Sequence, residues 1–126
     1  MAFKKYVKTG NTDRARASLR ERGDIWFNTG AIQCFTDLTE HRFAVLYFDR
    51  RTQRIGIRLT DDPTEDGATS VTKLAKHVSI YAVVFLAHCH IDHTTTQQYP
   101  LEFDREEIMY IIDLKRPIEK SGRKNT

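Results

Sequence analysis

Six consecutive residues, His88-Cys89-His90-Ile91-Asp92-His93, include five side chains able to bind a metal or move a proton. The spacing H-x-H-x-D-H suits zinc: imidazoles take the ion, and the carboxylate takes a second metal or orients water. A smaller zinc site would use Cys89, His90 and His93. On a helix, position 89 shares a face with 93, and 90 does so too. The competing reading is a helix end with exposed imidazoles, whose cations suit a helix C-terminus. No histidine follows His93, so the distal ligands of a hydrolytic centre are absent. The expectation is therefore no metal and no cofactor.

A second group of residues points to phosphate. Arg50, Arg51, Arg54 and Arg58 gather at one hairpin tip and its outer face, where they could grip phosphates or pair with Asp49, Asp61 and Asp62. Residues 1–22 add Lys4, Lys5, Lys8, Arg14, Arg16, Arg20 and Arg22 and carry net +5; residues 115–126 carry net +4. The body between them carries net −6, so the overall +3 conceals an acidic body with two basic ends. Basic arms hold nucleic acid by neutralising phosphate and releasing counterions, or act only as solubilising tails. The aromatic residues Trp26, Tyr47, Phe48 and Tyr81 offer stacking platforms for single strands, or fill a core. No glycine-rich phosphate loop and no supported Ser/His/Asp arrangement occurs, so no enzyme is expected.

The elements that must position these residues are written twice, 55 residues apart. Asp24–Leu59 slides onto Ser79–Leu114 without a gap, and ten of 36 pairs are identical. Unrelated chains would give roughly two. The matches include Ile25 with Ile80, Cys34 with Cys89, Asp37 with Asp92, and Phe48-Asp49-Arg50 with Phe103-Asp104-Arg105. Cys34 and Cys89 are expected to be reduced, buried thiols, although a twofold axis could bring equivalent positions together.

Along the chain, residues 1–22 read as a basic arm with a helical turn near Arg14–Arg20, and Gly23 marks the boundary. The first unit spans 23–60: a short strand Ile25-Trp26-Phe27, a helix capped by Asn28 or Thr29 and running through Phe35, a strand Arg42–Phe48, a polar loop, and a strand Arg54–Thr60. Alternation in the last strand puts Ile55, Ile57 and Leu59 on one face and Arg54 and Arg58 on the other. Residues 61–78, with Pro63 and Gly67, read as an acidic linker. The second unit spans 79–114: its short strand is read as Val78–Tyr81, followed by a helix Ala82–His90, a strand Gln97–Phe103 interrupted by Pro100, and a strand Ile108–Leu114. Residues 115–126 form a basic tail. The fold class is α+β, mostly β, with two strand–short helix–hairpin units interlocked into one small barrel-like domain.

This layout resembles the AbrB-type (SpoVT/AbrB) swapped-hairpin domain, on Gly23–Phe27 as entering strand, Gly30–Leu38 as helix and exit, Arg42–Thr60 as hairpin, and Ser79–Leu114 as second copy. The usual helix-opening proline is replaced by Asn28 and Val83, and no Gly-Asp turn precedes the hairpins. The resemblance implies DNA binding in a transcription regulator. The histidine run, for its part, looks like the signature of metallo-β-lactamase-fold hydrolases. The chain is about half the length that fold needs, and the first unit offers only Gln33-Cys34-Phe35-Thr36-Asp37-Leu38 at the equivalent place.

The resulting expectation is a cytoplasmic, non-enzymatic protein that binds double-stranded DNA through its basic arms and first hairpin, with homo-oligomerisation as a further possibility. No apolar run approaches the roughly 20 residues that span a bilayer, and the N-terminus has no apolar signal segment. The alternatives are a protein-interaction or assembly module built on the acidic body and exposed strand edges, and single-stranded nucleic-acid binding.

Overall fold

The computed structural model describes residues 15–118. Nine strands dominate it: β1 (Arg16–Leu19), β2 (Asp24–Phe27), β3 (Phe43–Asp49), β4 (Arg54–Thr60), β5 (Ala68–Lys73), β6 (Val78–Tyr81), β7 (Gln97–Pro100), β8 (Glu102–Asp104) and β9 (Met109–Asp113). Two short helices, α1 (Thr29–Cys34) and α2 (Val83–His88), and a 3-10 turn (Thr36–Thr39) complete it. All strand pairs are antiparallel, in the order β7-β1-β2-β6-β5-β3-β4-β9-β8.

The two ends of this ladder are neighbours in the chain. β7 and β8 are separated only by Leu101, which is buried and donates its main-chain N–H to the Ala15 carbonyl at 3.0 Å. The sheet is thus nearly closed into a barrel. Pro100 has no N–H to give to a ladder, which explains why the strand expected over Gln97–Phe103 is two. The two strands that end the ladder, β7 and β8, are four and three residues long.

The core fills the barrel with Leu19, Ile25, Phe27, Leu38, Ile55, Ile57, Ile80, Leu86 and Ile112. Alternation supplies it: in β2, Ile25 and Phe27 point in and Asp24 and Trp26 point out. Two registers share the 55-residue offset. Ile25 faces Ile80 across β2 and β6, and Gly56 faces Ile111 across β4 and β9. The hairpin loops match as well. The Asp49 carboxylate accepts from the N–H of Arg51 and Thr52, and that of Asp104 from Glu106 and Glu107. Gln53 and Ile108 then both take φ 57°.

Three expectations about organisation are corrected. The basic arm does not extend to residue 22, and no helical turn forms near Arg14–Arg20 among the described residues. Arg16–Leu19 is a strand, because Ala15, Ala17 and Leu19 are apolar at alternate positions and bury completely. The acidic linker 61–78 contains β5, whose Thr69, Val71 and Thr72 suit a strand between β3 and β6. The basic tail begins inside the fold: Ile118 bridges Gln98, and its carbonyl accepts from the Gln97 amide at 3.1 Å.

Turn β1–β2 is fixed by Gly23, at φ 98°. A Cβ there would lie 2.4 Å from Val83 Cγ2, and the Gly23 carbonyl accepts from Ala82 N at 3.0 Å. The turn therefore locks onto the start of α2. No helix among the described residues is long and apolar enough to cross a membrane.

Candidate nucleic-acid interface

The outer face of β1 and β2 carries a cluster of polar and aromatic side chains. Strand alternation turns Trp26 outward, opposite Ser18. The guanidinium of Arg20 lies 4.3 Å from the Trp26 ring centroid, and its Nε is 3.5 Å from the Asp24 carboxylate. His77 approaches the same indole, with ring centroids 4.2 Å apart and planes inclined by 37°. Arg16 donates from its guanidinium to the Gln98 side-chain oxygen at 3.3 Å. Its main-chain N–H donates to the Asn28 side-chain oxygen, which also caps α1 through Ala31 N at 2.8 Å. The cap thus ties the first helix to β1.

Arg16, Trp26, Asn28, Thr29, Gly30 and His77 line a cleft of about 410 Å³. The turn between β5 and β6 forms one wall. Thr29 Oγ1 donates to the Lys76 carbonyl at 3.0 Å, and Leu74 N donates to the His77 carbonyl at 2.8 Å. Of the expected phosphate-binding residues, Arg16 and Arg20 come together here, with Arg22 exposed in the adjoining turn. Lys4, Lys5, Lys8 and Arg14 lie outside the described residues.

The four arginines of the first hairpin do not form one grip. Arg58 is held by the Tyr47 hydroxyl, at 3.1 Å, and by the Glu65 carboxylate. That contact holds the Glu65 carboxyl below its usual range and pushes the guanidinium further up, the Glu65 and Tyr47 hydrogen bonds being the main causes. Arg54 stands opposite Asp113 across β4 and β9. Arg50 lies 5.9 Å from the Phe48 ring centroid, and Arg51 is exposed at the tip. The expected partners Asp49 and Asp61 are occupied otherwise: Asp49 organises the turn, and Asp61 bonds His41 Nδ1 at 3.2 Å.

The histidine run is resolved by its backbone. α2 ends at His88, shorter than the Ala82–His90 expected, so Cys89, His90 and His93 do not share a helix face. His90 takes φ 57°, its N–H donates to Ala87, and Ile91 N donates to Leu86. This is a Schellman stop, with buried Ile91 as its apolar contact. Asp92 accepts from Thr94 N at 3.0 Å and from Thr94 Oγ1 at 2.9 Å, and the backbone bond above all holds its carboxyl below the usual range. Burial pushes the Cys89 thiol up. Among the described residues no group of three or more His, Cys, Asp or Glu is placed to hold a metal ion. Cys34 and Cys89 are both thiols.

Register gives the cationic cleft a counterpart. Arg16 stands opposite Pro100 in β7, and Ala68 stands opposite Val45 in β3; Val45 and Pro100 are 55 residues apart. Around Ala68 lies a second cleft, of about 420 Å³, walled by Leu46, Tyr81, Val84, Phe85 and His88. Tyr81 and Val84 of this cleft stand 55 residues after Trp26 and Thr29 of the first. One cleft is cationic and the other apolar.

His77 was missed by sequence reasoning because it sits in the supposed linker. The β-prone Ala68-Thr69-Ser70-Val71-Thr72-Lys73 was the signal that could have brought it into the fold. Comparison with protein-family models, with curated proteins and with solved structures finds no match.

Proposed function

We propose that the chain is a non-enzymatic, cytoplasmic protein that binds double-stranded DNA and acts as a transcription regulator. The observation that carries the reading is the assembly of Arg16, Arg20 and His77 around Trp26, immediately after the basic segment that holds Lys4, Lys5, Lys8 and Arg14. Two arginines and an imidazole on one face next to a basic segment suit phosphate contacts that position a duplex. A duplex is favoured over a single strand because Arg20 and His77 already cover the Trp26 ring. Of the other aromatics, Tyr47 is held by Arg58.

We further infer that the chain is a tandem duplication whose halves interlock as AbrB-type swapped hairpins. The paired registers Ile25 with Ile80 and Gly56 with Ile111 support it, as do the matching Asp49 and Asp104 turns. The extent of the copies then grows to include β1 and β5.

The test is a fluorescence-anisotropy titration of labelled duplex and single-stranded DNA over roughly 50 to 200 mM salt. Duplex binding that weakens steeply with salt, and weakens further in Arg16→Ala/Arg20→Ala, is expected. No duplex binding at low salt overturns the reading. A second reading, an assembly module, is favoured by the apolar cleft, where Val84 is 68% exposed and Tyr81 54%. Light scattering checks it: it predicts self-association that Val84→Asp abolishes.

A further inference from the structure

We infer that the cleft between Arg16, Trp26 and His77 seats a single phosphate group, either a backbone diester of bound DNA or a free monoester. The DNA source of that phosphate rests on the function proposed above; the chemistry of the cleft does not.

Arg16 and His77 line this one cleft, and each carries a covered side-chain nitrogen, Nε and Nδ1, with no hydrogen-bond partner among the described residues. Buried nitrogens left without a partner cost stability, and native proteins keep few of them. Two on residues lining one cleft point to an acceptor that a small side-chain shift brings to both, with His77 in the tautomer that carries its proton on Nδ1. They come from separate elements, β1 and the β5–β6 turn, so the acceptor must take hydrogen bonds from two directions. A tetrahedral oxyanion does so with different oxygens.

Charge narrows the choice further. Among the described residues, Arg20, Arg58, Lys115 and Arg116 each meet a carboxylate. Among the described residues the lining of the cleft around Arg16 holds no acid, and the guanidinium meets only the neutral Gln98 oxygen. An arginine cannot shed its proton to relieve this. The matching position on the other side of the barrel, Ala68, lies in a cleft walled mostly by apolar side chains, with His88 but no arginine. Of the two clefts, only the first thus holds a guanidinium for phosphate.

Trp26 is the only tryptophan in the chain and forms one wall of the cleft, so its emission reports occupancy. The full chain is titrated with inorganic phosphate and, separately, with a short duplex, at constant ionic strength set with chloride. A saturable emission change with phosphate that chloride does not give is expected. Arg16→Gln and His77→Gln should each weaken it by roughly tenfold, with Arg116→Gln unchanged. Using two variants guards against one of them failing to fold, which circular dichroism reports.

Phosphate saturation without duplex binding leaves the cleft standing, makes its ligand a free phosphate, and removes the DNA reading. Duplex binding that Arg16→Gln and His77→Gln do not alter, with no phosphate response, overturns the cleft and leaves the DNA reading intact. Identical titrations with phosphate and chloride also overturn it.

Discussion

Ile25 and Ile80 face each other across β2 and β6, both fully buried and separated in sequence by the same 55 residues that relate Gly56 to Ile111. Directly opposed side chains on one sheet face pack on each other. Ile25→Ala and Ile80→Ala should each cost about 2–5 kcal/mol by transfer loss and cavity formation. Because they share one space, the double variant should depart from additivity by about 0.5–3 kcal/mol. Urea denaturation of the four proteins measures this.

Gly23 and Gly67 both have positive φ, 98° and 85°, but differ in their surroundings. A Cβ on Gly23 would meet Val83 at 2.4 Å; on Gly67 its nearest neighbour would be Val45 Cγ1 at 3.8 Å. Gly67→Ala should therefore cost only the left-handed backbone penalty of roughly 1–2 kcal/mol. Gly23→Ala should cost clearly more, since it also pushes the β1–β2 turn off α2. Thermal denaturation of the two variants ranks them.

Ile108 is a β-branched residue held at φ 57° and is 64% exposed, so it loses backbone energy without much burial in return. Ile108→Asn should raise stability by about 1 kcal/mol and the melting temperature by a few degrees. An unchanged or lower melting temperature would show that its contacts with neighbouring apolar groups outweigh the strain.

Tyr110 is buried and donates its hydroxyl to Asp37. Burial first, and then that hydrogen bond, push its phenol well above the ordinary 10.0. The folded chain thus resists ionisation that the unfolded chain accepts. This contribution is whole below about pH 10 and is lost as the pH rises beyond it. Tyr110→Phe should lower stability at neutral pH by about 1–3 kcal/mol, and should flatten the alkaline fall. Tyr99, raised likewise by burial, keeps the residual slope.

Arg20 and Arg58 separate binding from structure. Arg20 lies over Trp26 beside Arg16, with one contact to Asp24 at 3.5 Å, whereas Arg58 is held on two sides by Tyr47 and Glu65 away from that face. Arg20→Ala should reduce the salt slope of duplex binding by about one. Arg58→Ala should leave that slope unchanged.

The strands of the two hairpins were legible because their apolar residues alternate and polar loops divide them. β4 and β6 fall where the pattern puts them, and of the two expected cap residues, Asn28 and Thr29, it is Asn28 that caps α1. The 55-residue offset led to Ile25 and Ile80. What escaped was decided by distant partners. β1 and β5 lie in segments read as arm and linker because charge and turn residues surround them; each becomes a strand by filling a gap between others. For the site, Arg16, Arg20 and Trp26 were each legible by type, but nothing local joins them to His77. At the histidine run the helix expected from sequence runs two residues too far, because His90 terminates it rather than continuing it.

The pairing of β1 with β7 sets a schedule for the chain during its synthesis. Leu19 finds Gln97, and Arg16 finds Pro100, only after the intervening chain has left the ribosome. At roughly 5–20 residues per second that is a wait of several seconds, during which β1 lacks one neighbour. Such distant contacts also slow folding. The nascent protein therefore passes through a window in which the apolar side of β1 needs shelter, and the last strands to emerge close it.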